Sequence, residues 1–372
     1  MRHFQMQSHS SLMCMQNKEN KQREITFAQA INEATHQSMR EDSSVICFGL
    51  GVTDPGGIFG TTLGLEKAFG SERVFDMPTS ENAMTGVAVG AAIAGLKPVV
   101  THQRLDFFLL AMDQLVNSAA KWHYMFGGQF NVPMTIRLII GRGWGQGPTH
   151  SQNLQAWFSH IPGLKVVMPT TPSDAKGLLL ASIADPNPVI FLEHRWLHNV
   201  SEHVDLKGEK GELDRARVVR EGNEITVVTS GYLTLQALEA ADYLLTKGIS
   251  CEVIDLRSLN PIDWKTLFDS IEKTGRLLAL DSASITGSIS GEILAKVCSE
   301  RFSFLKSAPI RLAQPDVPEP TSFGLTKDFH LDTRLIVHKI LDIFQFSRKD
   351  LNLIIKNNSV HDVPGKWFKG PF

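Results

Sequence analysis

The 372-residue chain is poor in cysteine, in net charge and in long apolar runs, and each shortage excludes a class of protein. Its four cysteines, Cys14, Cys47, Cys251 and Cys298, are scattered and form no CxxC pair. That distribution fits neither a disulfide framework nor a zinc site and suits a reducing, cytoplasmic setting. Lys and Arg total 37 against 39 Asp and Glu, a formal net charge of −2, so no basic surface for nucleic acid is expected. The least polar long stretch, Gly86 to Leu96, is eleven residues and stops at Lys97, whereas a membrane-spanning helix needs about 20. Neither HExxH nor a GxxxxGK phosphate loop occurs, which argues against a protein-only metal site and against nucleotide binding. The first 23 residues are polar and lack both an apolar signal core and an Arg-rich, acid-free pattern. They are expected to form a flexible arm with no address.

What is present is alternation. From Ile25 onward, helical patterns of 10 to 15 residues alternate with short β-branched runs, the signature of α/β architecture with parallel sheets covered by helices. At roughly 150 residues per domain the length suggests two domains. The first, over 24–198, is expected to hold helices Phe27 to Arg40, Glu81 to Gly95 and Phe107 to Ala120, and strands Val45 to Gly49, Pro98 to His102, Met134 to Ile140 and Val189 to Glu193. Between Asn199 and Ala216 the apolar pattern breaks and eight of eighteen residues are charged, so this is the expected linker. A second, smaller α/β domain over 217–343 is expected to have strands at 225–231, 251–256, 276–282 and 308–313, with helices between them. The tail over 344–372 carries Leu351, Ile354 and Ile355, which fit one amphipathic turn.

Three segments carry residues fit for chemistry. In MPTSENAMTGVAVG (77–90) a Pro-Thr-Ser turn leads into a small-residue helix with Glu81 at its start. Glu81 either complements the positive helix end behind a Ser80 cap or acts as an acid/base. The glycines and alanines after it allow close approach of a backbone or a flat ligand. In IIGRGWGQGPTHSQ (139–152) a strand runs into a loop with four glycines that carries His150. Such a loop delivers an imidazole able to exchange protons near neutral pH, or Thr149, His150 or Ser151 simply caps the helix that follows. In THQRLDFFLLAMDQ (101–114), His102, Arg104 and Asp106 follow a strand's carboxyl end, where open α/β sheets place ligands. A buried helix with a solvated start explains the same spacing. His194, Arg195 and His198 after another strand form either an anion-binding cluster or a polar loop.

Taken in order, SENAMTGVAVGAAIAGLKPV, AMDQLVNSAAKWHYMFGGQ, THSQNLQAWFSHIPGLKVVMPTTPSDAKGLL, NPVIFLEH and DLRSLNPID resemble the beta subunit of the thiamine-diphosphate-dependent 2-oxo acid dehydrogenases, the decarboxylating first component of pyruvate dehydrogenase-type complexes. The resemblance spans about residues 25 to 340. It implies a transketolase-like pyrimidine-binding domain followed by a transketolase C-terminal domain. It also implies that Glu81 hydrogen-bonds N1′ of the cofactor's aminopyrimidine, favouring the tautomer that removes the C2 proton, a task that asks for a carboxyl shielded from water. Phe107 is expected to pack on the pyrimidine and Gln103 to border it. His150 is expected over the reactive carbon, and His102 and Arg104 near the substrate or acceptor.

Two departures from the family pattern matter. Leu50, in GLGVTDPGG, stands where the family has Glu, and Gln103, in THQRLDF, replaces a Met, making the pocket more polar. The family's Gly-Asp-Gly motif for Mg²⁺ and diphosphate is absent, so the resemblance assigns Mg²⁺ binding to a separate alpha subunit in an α₂β₂ heterotetramer. The expected function is that of a pyruvate dehydrogenase-like beta subunit acting on a small 2-oxo acid, with a dihydrolipoyl acyltransferase as a further possible partner. The alternatives are the small subunit of a split transketolase or a carboligase transferring a two-carbon unit to a sugar, and a non-catalytic assembly subunit.

Overall fold

A computed structural model describes residues 22–205, 210–327, 329–346, 362–364 and 368. Three sheets organise them. A seven-stranded sheet runs in the order β12 (Ser258–Asn260), β6 (Lys165–Val167), β7 (Val189–His194), β5 (Thr135–Ile140), β4 (Lys97–His102), β2 (Val45–Gly49) and β3 (Val74–Asp76). All its pairings are parallel except β12 with β6. A five-stranded sheet runs β14 (Ile310–Gln314), β13 (Leu277–Ser284), β10 (Ile225–Thr229), β11 (Cys251–Asp255) and β9 (Arg217–Arg220), with only β9 antiparallel. The third is a two-stranded antiparallel ladder, β1 (Gln22–Thr26) with β8 (Ser201–Asp205).

Local sequence explains the main elements. Helix Phe27–Glu41 starts at Thr26, whose hydroxyl accepts from the Gln29 amide while Gln29 Oε1 accepts from Thr26 N–H, a reciprocal cap. The central strands are buried along their whole length, as parallel strands covered on both faces require. Helix Pro172–Ala184 begins with proline at its first turn and the Thr171 hydroxyl accepting from Asp174 N–H.

The structure differs from the sequence reading at particular places. The helix expected over Phe107 to Ala120 begins at Leu105 and is broken into an α-turn to Phe108, a 3₁₀ turn Leu109–Ala111, a π-helical stretch Gln114–Ala119 and a final helix Ala120–Met125. Periodicity at 3.6 residues cannot register such irregular turns, which concentrate near functional sites. Residues 1–21 of the expected arm lie outside the described residues, while Gln22 and Arg23 belong to β1. The charged stretch 199–216 contains β8, so it is not linker throughout. Ile25 and Val204, buried on the two paired strands, supply the apolar contacts that composition alone concealed. The amphipathic turn expected around Leu351, Ile354 and Ile355 also lies outside the described residues.

The two α/β halves are tightly joined. β12 comes from the second half of the chain yet extends the seven-stranded sheet, and Asn260 Nδ2 donates to the Leu164 carbonyl at 2.8 Å. Asp174 accepts from Arg217 Nη1 at 3.1 Å and from Arg257 Nη1 at 2.8 Å. Gln155 Nε2 donates to Asp281 Oδ1 at 2.6 Å. One of the apolar clusters runs through both halves, packing Phe48, Met84 and Ile136 with Val228, Ile254 and Leu277.

At the centre of the larger sheet, Arg137 of β5 donates to both oxygens of Glu193 of β7, at 2.5 and 3.0 Å, with both side chains fully buried. Burial opposes ionisation of Glu193, but Arg137 and the His198 contact outweigh it and hold the carboxyl down at about 2. Removing one member of a buried pair leaves the other charge stranded. Glu193→Gln is therefore expected to cost about 3 kcal/mol or more, read from urea unfolding midpoints. Because the folded-state pKa is depressed, this stabilisation is complete above about 4.5 and is lost as pH falls toward about 2. The variant should show a shallower acid limb in its stability profile, and an unchanged limb would remove the pair from this role.

Candidate active site

The sequence-nominated residues gather at the carboxyl ends of β2, β3, β4, β5 and β7, where an open α/β sheet presents its loops. Glu81 opens helix Glu81–Ile93, which follows β3, and is 7% exposed. Ser80 makes no side-chain cap, and the Glu81 carboxylate has no hydrogen-bond or ion-pair partner among the described residues. A buried carboxyl without a protein partner is suited to a partner supplied by a ligand. The helix packs against the start of the broken helix after β4, and Gly86 faces the Gln114 side chain, where an added Cβ would lie 3.5 Å from Gln114 Oε1.

Phe107 and His150 meet. Their rings stand edge to face, 5.3 Å between centroids and 87° apart, with the Phe107 ring 44% exposed. The Thr149 hydroxyl lies 3.0 Å from His150 Nδ1, which leaves Nε2 as the nitrogen open to another group. Gln103 is exposed, and its amide nitrogen lies against Gly51 in the loop after β2, 2.2 Å from where a Cβ would stand there.

Two of the nominated residues lie deep in the fold. His102 is 1% exposed, edge-on to Phe108 at 4.8 Å, with neither ring nitrogen hydrogen-bonded. Burial lowers its pKa to about 3, so it is a neutral interior side chain. Arg104 is also buried, and it anchors a loop: Nη1 donates to the Gly141 carbonyl at 3.1 Å and Nη2 to Gln146 Oε1 at 2.5 Å. Asp106 takes the other end of the same loop, accepting from Gln152 N–H at 3.2 Å and from Gln152 Nε2 at 2.9 Å. Residues 104–107 thus clamp and line the segment that carries His150. Of the polar cluster after β7, His198 contacts Glu193 at 3.4 Å, Arg195 lies over the Phe59 ring at 4.3 Å, and His194 stacks on Tyr232 at 5.2 Å.

Residues 23–199 match the model for the transketolase pyrimidine-binding domain, and 214–336 that for the transketolase C-terminal domain. The beta subunit of acetoin:2,6-dichlorophenolindophenol oxidoreductase from Cupriavidus necator is 40% identical over 310 residues, covering 81% of this chain and 91% of that one. The pyruvate dehydrogenase E1 component subunit beta-1, mitochondrial, from Arabidopsis thaliana is 39% identical over 331 residues, 88% of this chain and 89% of that one. The chain belongs to this transketolase-like family of dehydrogenase beta subunits. A solved split-gene transketolase, an inactive beta4 tetramer, shares the fold at a TM-score of 0.69 and 22% identity, over 86% of this chain and 98% of that one.

Within this beta-subunit framework, the second domain completes the His150 loop. Gly145 and Gly147 both have φ of +69°, and a Cβ on them would stand 2.7 Å from the Thr321 carbonyl oxygen and 2.3 Å from Thr321 Oγ1 respectively. The glycine spacing signals a close approach. Its occupant, Thr321, lies more than 170 residues later in an unremarkable stretch and had no local signal. Glu319 was missed for the same reason: its carboxylate lies 3.2 Å from His330 Nε2, and burial pushes its pKa up to about 8. A non-glycine residue held at positive φ costs roughly 1–3 kcal/mol. Gly145→Ala is expected to lower stability in that range and to open residues 143–149 to limited proteolysis. Wild-type cleavage rates would mean that the Thr321 contact does not hold the loop.

Proposed function

We propose that the chain is the beta subunit of a heteromeric, thiamine-diphosphate-dependent 2-oxo acid dehydrogenase of the pyruvate type, building the cofactor's pyrimidine site and completed by an alpha subunit. The observation that carries this reading is Glu81, a nearly buried carboxyl at a helix start with no protein partner. Thiamine diphosphate, when bound, supplies a nucleophilic carbon that adds to the 2-oxo group and accepts the electrons released by decarboxylation. Glu81 would hold a proton at the aminopyrimidine N1′. Phe107 offers its half-exposed face as an apolar surface for the pyrimidine, with Gln103 beside it. His150, steadied by Phe107 and Thr149, would present Nε2 to the substrate oxygen or the incoming acceptor.

The reading places the diphosphate and its Mg²⁺ on the alpha subunit, since hard cations take several oxygen ligands and no Gly-Asp-Gly is available here. Exposed apolar side chains on the elements around the site, Val87, Leu110 and Trp157 among them, support a subunit partner. A lipoyl-bearing acyltransferase as acceptor and a cytoplasmic location belong to the same reading. The described residues contain no helix long and apolar enough to cross a membrane. Gln103, exposed where the family carries an apolar side chain, supports a second reading, carboligation onto a hydroxylated acceptor such as a sugar. Product analysis with and without a sugar acceptor separates the two.

Glu81→Gln in the assembled enzyme is expected to slow C2 proton exchange of bound thiamine diphosphate by at least ~10²-fold, followed by NMR. Unchanged exchange would take Glu81 out of the mechanism. The isolated chain, by contrast, offers about one hydrogen bond and one ring contact, each on the order of 1 kcal/mol, against the ~8 kcal/mol of micromolar affinity. Calorimetric titration with thiamine diphosphate and Mg²⁺ is expected to give no micromolar binding until the alpha subunit is added. Tight binding and decarboxylation by the chain alone would defeat the two-subunit reading.

A further inference from the structure

Behind the His150 loop, where the two α/β halves meet, lies a small cleft of about 20 Å³, room for a water or a very small ionic group. Its walls include Arg142, His194, Tyr232, Gln236, Gln314 and His330. None of these residues has a role in the cofactor chemistry above, and Met168, Leu233 and Leu331 supply apolar wall between them. Arg142 is its most unusual wall. The side chain is 8% exposed, and its Nη1 is shielded from solvent with no acceptor. The guanidinium donates no hydrogen bond and makes no ion pair among the described residues. The Trp196 ring lies 4.6 Å from it, while Glu319, Asp362 and Asp332 act on its charge without pairing with it. Burial lowers its pKa to about 10, still far above neutrality, so the group is charged.

A buried cation without a directly paired counter-charge is costly, and a ligand can supply that partner. We propose that this cleft is a binding site for a small anion, a carboxylate or phosphate group received by Arg142, on a molecule that also carries hydroxyl or amine donors. The second half of that description follows from two acceptors. Gln236 Oε1 and Asn153 Oδ1 are both buried without a donor, and both residues line the same cleft. Glu319, the strongest acidic influence on Arg142 ahead of Asp362 and Asp332, is directed to His330 at 3.2 Å, and it does not occupy the guanidinium. Arg142 and Asn153 also bracket the segment that carries His150, so a ligand held by both would link the two ends of that loop.

The test uses the full chain assembled with its alpha subunit and saturated with thiamine diphosphate, so that the cofactor's own anion site is filled. Calorimetric titration with inorganic phosphate and, separately, with glycolate is expected to give one saturable site per chain for at least one probe. Whichever binds names the source of the charge, and saturable binding of neither in the millimolar range overturns the proposal. Arg142→Met is expected to weaken that binding at least tenfold. The same variant should melt higher than wild type in anion-free buffer, because it removes a buried unpaired charge, and should lose the melting increase that the anion gives the wild type. If Arg142→Met does not fold, Gln236→Glu decides the matter by placing a competing negative charge in the cleft. It is expected to abolish binding, and wild-type affinity in either variant overturns the assignment.

Discussion

The Arg137–Glu193 pair is the constraint on which the rest of the molecule rests. It joins β5 to β7 with two hydrogen bonds at zero exposure, and Arg137 Nη1 also reaches Thr101 of β4 at 3.5 Å. Three neighbouring strands are thereby fixed in register by polar geometry, inside a sheet whose apolar residues alone would tolerate sliding. Each of these strands ends in a loop that the site uses. β4 leads to Gln103 and Phe107, β5 to the glycine loop and His150, and β7 to His194 at the edge of the interdomain cleft. An apolar triad would be as stable, but it would not set the register of those strand ends so tightly.

The glycine loop shows how the second domain takes part in a site built mainly by the first. Positive φ at Gly145 and Gly147 turns the backbone flat against Thr321, while Arg104 and Asp106 hold the loop from beneath at its two ends. The imidazole of His150 is therefore placed by packing from both halves, although all its covalent neighbours belong to one. This arrangement explains why the halves share a continuous apolar cluster and exchange a strand, β12, in place of a hinge. A loop pinned between two bodies keeps its position only if those bodies do not move apart.

Polar groups buried around this junction have divergent electrostatics. His102 and His194 are driven toward the neutral form by burial, Glu319 is pushed up to about 8, and Arg142 stays charged without a partner. The Phe107–His150 contact, by contrast, is open to solvent, with Phe107 half exposed. The site thus has two aspects: an open one around Phe107 and His150, and a narrow cleft of mixed polar and apolar walls between the domains.

Much of this was legible in the sequence. Alternating patterns located most core strands to within a residue or two at each end, the Pro-Thr-Ser turn marked the helix start at Glu81, and four glycines before His150 marked a loop of unusual backbone. These signals are local, arising from periodicity, capping and glycine's access to positive φ, so composition and order suffice to reveal them. The placement of His102 and Arg104 was not legible because burial is not local: three residues in a row, His102, Gln103 and Arg104, turn respectively into the core, into solvent and onto the loop above. The Thr321 seat, the strand exchange by β12 and the unpartnered charge of Arg142 join residues far apart in the chain. Only the tertiary structure could decide them, because the energies involved, close packing and the desolvation of charge, depend on what lies across the gap and not on what lies next along the chain.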